Sequence, residues 1–211
     1  MIIAIDGPAA AGKGTLARRI ADALGYAHLD TGALYRAVGL AVRRAGNDPA
    51  DADAALAAAK TLDPAGLSDP ALREEETGKA ASIVSAHPAV RAALLDFQRQ
   101  FAQRPPQNAQ GAVVEGRDIG TVVCPEAERK IFVTADVEIR ATRRFKELLG
   151  RGEGAIYARV LADLRERDER DGSRADAPLR RAEDAMLLDT THLDPDQAFE
   201  SARALVETGT I

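Results

Sequence analysis

The sequence predicts an α/β protein in three layers, a parallel sheet between helices. Three observations carry that expectation. Short apolar runs recur at 2–5, 112–115, 130–134 and 185–190, reading "IIAI", "AVVE", "KIFVT" and "AMLLDT". A strand covered on both faces has this near-continuous apolar character, because neither side meets water. The intervals between the runs are long enough for the helical crossovers that parallel strands need. The intervening segments repeat apolar residues at helical spacing and stop at glycines.

Taken in order, the first strand ends at Asp6-Gly7, and a helix over 13–24 stops at Gly25. A second helix over 32–45 stops at Gly46, and the Ala-rich segment 51–60 forms a third. The stretch 62–78, "LDPAGLSDPALREEETG", has two prolines and an acidic run, which reads as a solvated loop and helix face. After it, "AASIVSAHPAVR" is a helix, a proline and another helix, the latter continuing as "AVRAALLDFQRQFA" until "RPPQN" breaks it. Residues 136–149 and 155–170 form a charged helical pair joined by "GRGEG", either a hinge or a plain interhelical turn. The chain shows no internal repeat and no low-complexity linker.

At 211 residues the chain can bury a substantial core, so residues 1–211 are expected to form one domain. Hydrophobic residues at 45% and charged residues at 29% mark a globular protein rather than a disordered one. A net charge of −5 argues against a nucleic-acid polymer as partner, since such binders present a basic face. Aromatics at 4%, without Trp, leave little for base-stacking platforms. Cys124 is the only cysteine, which excludes an intrachain disulfide and disfavours a zinc cluster. With no basic leader and no apolar run near the roughly 20 residues that span a bilayer, the expected address is the cytoplasm, away from membranes.

The stretch "GPAAAGKGT", Gly7, Pro8, Ala9, Ala10, Ala11, Gly12, Lys13, Gly14 and Thr15, lies between the first strand and the first helix. A lysine at a helix start opposes the helix dipole by roughly 0.3–1 kcal/mol unless an anion sits between them. The pattern G-x-x-x-x-G-K in this strand-then-helix setting is that of a phosphate-binding loop. Its glycines let backbone N–H groups converge on phosphate oxygens, Lys13 would bridge the β- and γ-phosphates, and the Thr15 hydroxyl would face Mg²⁺. The expected architecture is therefore a P-loop nucleotide-binding fold. Ordinarily Ser or Thr follows the lysine directly, whereas this chain inserts Gly14, a GKGT variant that resembles the loop of nucleoside monophosphate kinases. A guanine switch protein is disfavoured, because Asn47 and Asn108 are the only asparagines and neither begins an Asn-Lys-x-Asp reader.

Four places are candidates for the acceptor of the phosphoryl group. In "LDTGALYR", Asp30 or Thr31 can cap a helix, a role compatible with ligand contact, and Arg36 lies one and a half turns in. In "EGRDIGTVV", at a strand end where ligands of open sheets collect, Glu115 can hold a metal's water shell. Arg117 and Asp118 there either face the crevice or pair with each other in a turn. In "RERDERDGSRADAPL", Arg167 and Asp171 share a helix face, as do Arg170 and Arg174 if the helix persists. Planar guanidinium groups suit the charge spread over a transferring phosphoryl group. The fourth place is "AASIVSAHPAVR", which by itself is a helix, a proline and a helix.

Through "IDGPAAAGKGT", "LDTGALYR", "AASIVSAHPAVR", "EGRDIGTVVCP" and "RERDERDGSRADAPL", in that order over nearly the whole chain, the sequence resembles the bacterial cytidylate kinases. That resemblance implies transfer of the γ-phosphoryl group of MgATP to CMP or dCMP. By it, Ser82, Arg91 and Asp118 would read the cytosine. Thr31 and Tyr35 would line the acceptor site, Arg36, Arg117 and Arg174 would hold the acceptor phosphate, Asp171 the sugar hydroxyls, and Arg167 both sugar and phosphate. Arg143 and Arg144, with Arg167 and Arg170, would close over the transferring group. A lid over about 150–177 and a monophosphate-binding segment over about 60–104 follow, with small nucleotides as partners and a monomeric state. Many members carry an insert of several strands before the serine-bearing helix; here the interval 62–78 is short. Kinases of UMP or shikimate, and a nucleotide sensor without chemistry, are the rival readings, the sensor having no need of a second phosphate cradle.

Overall fold

A computed structural model describes residues 1–208. Five strands form one parallel sheet: β1 (Ile2–Asp6), β2 (Ala27–Asp30), β3 (Ala112–Gly116), β4 (Arg129–Thr134) and β5 (Met186–Asp189), ordered β2-β3-β1-β4-β5. Eight α-helices surround it among the described residues: α1 (Lys13–Leu24), α2 (Thr31–Arg44), α3 (Ala52–Lys60), α4 (Glu75–Val84), α5 (Pro88–Gln103), α6 (Val137–Gly150), α7 (Tyr157–Gly172) and α8 (Pro195–Thr208). The predicted α/β sheet with flanking helices is present. Two elements lie outside the sequence expectation, the four-residue β2 and the final helix α8.

Side-chain alternation along the strands separates the two faces of the sheet. Ile3 and Ile5 of β1, with Val113, Ile131 and Val133, pack against Leu16 and Ile20 of α1 and Ala202 and Val206 of α8. Ala4 points the other way, with Ala112, Val114 and Leu29, toward Ala102 of α5 and the turn carrying Ile119 and Val123. Two further cores stand beside the sheet. One joins α2, α3, α4 and α5 through Leu34, Val38, Ala55, Val84 and Leu94. The other joins α6 and α7 through Ala141, Leu148, Val160 and Leu164, and includes Ala9 of the phosphate loop. Burying each such aliphatic side chain contributes about 1.5–3 kcal/mol.

The interval 62–78 contains two 3-10 turns, Pro64–Ser68 and Pro70–Arg73, followed by the start of α4. Glu75 and Glu76 occupy the first turn of α4, where the helix dipole favours negative charge. The joint "GRGEG" is a turn between α6 and α7, and Gly152 there has φ 74°, the left-handed region that glycine adopts without strain.

Candidate active site

The C-terminal edge of the sheet gathers the functional side chains, because β1, β2 and β3 all end there. After β1 the chain passes under β4 at Gly7, where a Cβ would lie 2.0 Å from the Val133 carbonyl oxygen. Only glycine fits so close an approach. Ala10 and Gly12 have φ of 59° and 88°, bending the loop into α1. Gly12 offers no capping side chain, and the first turn of α1 has no acidic residue. The amides that begin the helix are thus left without a carboxylate from their own turn, an arrangement suited to an anion.

Gly14, the residue that sets this loop apart, is explained by Glu115 at the end of β3. A Cβ on Gly14 would come within 3.3 and 3.4 Å of the two Glu115 carboxylate oxygens, so the glycine gives that carboxylate its room. Glu115 Oε2 lies 3.9 Å from Lys13 Nζ, and Oε1 lies 3.1 Å from His28 Nε2. Burial and the nearby Arg117 push the Lys13 ammonium down to about 8, with Glu115 and Asp30 opposing them. His28 is a neighbour that the sequence reading does not include, since it belongs to the unexpected β2.

On the acceptor side, Thr31 Oγ1 donates to the Glu115 backbone carbonyl at 2.7 Å. Asp30 makes no side-chain cap to α2; its Oδ2 lies 3.5 Å from Arg36 Nη1. Capping is therefore not the role of either residue. Arg117 and Asp118 do not pair with each other. Arg117 Nε donates to Asp171 Oδ2 at 2.9 Å, while Asp118 accepts a short hydrogen bond from the buried Arg91. The Arg91 guanidinium stands 5.6 Å over the Tyr35 ring.

Asp171, 1% exposed, is the centre of an arginine cluster. Arg174 donates to it and, at 2.9 Å, to Ser85 Oγ; Arg167 Nε lies 3.9 Å away. Burial pushes the Asp171 carboxyl up, but Arg117, Arg167 and Arg174 outweigh it and hold the acid below its usual range. For Arg167, burial and the positive field of Arg117 bring the guanidinium down to about 9, against the attraction of Asp171. The Nε atoms of Arg167 and Arg174 are buried without a hydrogen-bond partner. Three guanidinium groups around one carboxylate leave an excess of positive charge that a phosphate dianion would neutralise.

Most of these groups line one cavity of about 470 Å³, Arg91 and His28 standing behind its wall. Its wall includes Ala10 to Thr15 at one end, and Thr31, Tyr35, Arg36, Glu115, Arg117, Asp118, Arg167, Asp171 and Arg174 at the other. Gly14, Thr15, Arg36, Arg144 and Arg167 also border a second cleft of about 700 Å³. Ser82 and Arg170 belong to that second cleft, where Arg170 Nη1 donates to Ser82 Oγ at 2.7 Å. They are thus brought together with each other. Arg143 lines the first cavity but is tied to the loop after β5, donating to the Thr190 hydroxyl at 3.0 Å and to the Thr190 and Leu193 carbonyls. Leu193, Pro195 and Ala198 complete that end, residues that the sequence reading leaves out because α8 is absent from it.

Comparison with known proteins shows the family. The sequence profile described as cytidylate kinase matches residues 3–208. A protein from Rhodospirillum rubrum named cytidylate kinase is 63% identical over 202 residues, 96% of this chain and 95% of that one. One from Paramagnetospirillum magneticum with the same name is 62% identical over 205 residues, 97% of each. The fold is similar to that of an uncharacterized protein from Eubacterium ventriosum, with TM-score 0.58, 12% identity and 99% of each chain covered. With the phosphate loop, Asp118 and the arginine cluster meeting around one cavity, the chain belongs to the cytidylate kinase family.

Proposed function

We propose that the protein transfers the γ-phosphoryl group of ATP to the 5′-phosphate of CMP or dCMP, giving ADP and CDP or dCDP. The observation that carries this reading is a single cavity with a phosphate loop at one end and an over-positive arginine cluster at the other. The donor triphosphate lies along the loop, with Lys13 against its β- and γ-phosphates and its base toward Thr190, Leu193 and Arg143. Arg36, Arg117 and Arg174 hold the acceptor phosphate, and Asp171 and Arg167 meet the sugar.

Cytosine is read by Asp118, which accepts from the exocyclic amine, and by Arg91, which donates to the ring's acceptor edge. Ser82 joins them as the two sides close on the nucleotide. Uracil would turn a carbonyl toward the Asp118 carboxylate and leave two acceptors facing, the kind of mismatch that gives strong polar discrimination.

An oxygen of the acceptor phosphate forms a bond to the γ-phosphorus as the bond from that phosphorus to the β,γ-bridging oxygen breaks, and ADP carries away the electron pair. The acceptor is already an anion, so the protein's task is alignment and charge neutralisation. The Thr15 hydroxyl and the Glu115 and Asp30 carboxylates supply the hard oxygen atoms that suit Mg²⁺, Glu115 acting through water. Bound with ATP, that ion would neutralise charge on the β- and γ-oxygens.

The chain acts as one domain, with a monophosphate-binding segment over about 60–104 and a lid over about 150–177 whose Arg167 and Arg170, together with Arg144 of α6, close over the transferring group. No helix among the described residues is long and apolar enough to cross a membrane; a cytoplasmic monomer is part of the proposal. ADP formation measured with CMP, dCMP, UMP, AMP and shikimate tests the reading. CMP and dCMP should be the efficient acceptors; preference for any of the other three would overturn it.

A further inference from the structure

We propose that Asp6 is a positioning residue for the acceptor site, holding Arg117 and Asp118 in place through the turn that follows them. The inference rests on the reading of those two residues given above. Asp6 is the last residue of β1, 5% exposed, and both of its oxygens are engaged. Oδ1 accepts the Ile119 N–H and Oδ2 the Gly120 N–H, each at 2.8 Å. These amides open the π-turn Ile119–Val123, closed by Val123 N–H to the Asp118 carbonyl at 3.1 Å and Cys124 N–H to the Ile119 carbonyl at 2.7 Å. Amides at the start of such a turn have no partner within it, so the carboxylate supplies what the turn lacks.

The turn fixes what immediately precedes it. Asp118 is its first flanking residue and reaches Arg91; Arg117 comes one residue earlier and reaches Asp171. The base-reading and phosphate-holding groups are therefore anchored, 113 residues away in sequence, to the strand that delivers the phosphate loop. Aspartate is needed because both oxygens must accept. An asparagine would turn its NH₂ toward one of the two amides. The seat is also close, since a Cβ on Gly120 would stand 3.4 Å from Asp6 Oδ2 and 3.2 Å from the Lys130 side chain. By contrast the donor loop has separate supports, the Gly7 crossing under Val133 and a hydrogen bond from Arg140 to the Ala9 carbonyl at 3.2 Å.

The test is Asp6→Asn, with CMP and ATP binding measured separately by calorimetry and KM and kcat measured for each substrate. Losing a charge-assisted pair should weaken CMP binding by about tenfold or more, while ATP binding changes by less than about threefold. In the Asp118→Ala background, adding Asp6→Asn should weaken CMP binding less than it does alone, because one of the two groups being positioned is gone. Equal losses for CMP and ATP, full multiplication of the two losses, or unchanged CMP affinity would each overturn the proposal. Should Asp6→Asn not fold, Gly120→Ala decides by the same criteria, since its methyl crowds the Asp6 carboxylate and the Lys130 side chain at the seat of the turn. Wild-type turnover with CMP is measured alongside. Failure there removes the functional reading, whereas normal turnover with an unaffected Asp6 variant removes this inference alone.

Discussion

Asp6 precedes the phosphate loop and Lys13 lies within it, and both are shifted by burial. Lys13→Ala should lower kcat at least a hundredfold, roughly the loss on removing one preorganised charge-stabilising donor, while circular dichroism stays unchanged. Near-normal turnover would show that the lysine is not at the reacting phosphates. For Asp6, burial raises the acid from 3.8 to about 6, opposed in part by the Gly120 and Ile119 amides. The folded chain thus binds this proton more tightly than the unfolded chain. Its contribution to stability is complete below the unfolded value and is lost as pH rises through about 6. A rise from 3.8 to about 6 corresponds to about 3 kcal/mol. Denaturant unfolding of wild type and Asp6→Asn should show wild type losing roughly that much relative to the variant between about pH 4 and 6.5; parallel curves would contradict the shift. Much of this residue-level site was legible in the sequence, because a phosphate loop needs its glycines and lysine at fixed spacing. The reason for Gly14 was not, since the carboxylate that fills its place comes from Glu115, a hundred residues away in sequence.

Among the elements, the strands flanked by long helices were readable, while β2 was not. Its four residues, "AHLD", contain a histidine and an aspartate and are stabilised by pairing with β3 rather than by their own pattern. The start of α8 does have a local signature. Asp194 Oδ1 accepts the Gln197 N–H at 2.8 Å, and Gln197 Oε1 accepts the Asp194 N–H at 3.0 Å, a reciprocal capping box with Pro195 at the first turn. Helices α6 and α7 bear on the phosphate loop through Arg140 of α6. It donates to the Ala9 carbonyl in the phosphate loop and, through both Nη atoms, to Asp168 of α7. Asp168→Ala should loosen α7 from the loop and admit water, raising ADP formation without CMP relative to CMP-dependent turnover. An unchanged ratio in an acceptor-free ADP assay would place the pair outside the closure.

At the scale of the molecule, the sheet brings three strand ends together, and the helices beyond them carry the two arginine-bearing sides of the cleft. Contacts already cross between those sides: Arg170 to Ser82, Lys79 to Asp163 at 3.8 Å, and Arg151 to the Arg73 carbonyl at 2.9 Å. No local pattern reveals such contacts, because they depend on how α4 and α7 are set against each other. The account's central claim is that two nucleotides meet end to end in this one cavity. Its most direct test is calorimetric titration with adenosine and cytidine joined through a chain of five phosphates. One molecule should bind per chain, more tightly than ATP or CMP alone, and saturating amounts of either nucleotide should each displace it. Two molecules bound per chain, or displacement by only one of the nucleotides, would contradict the account.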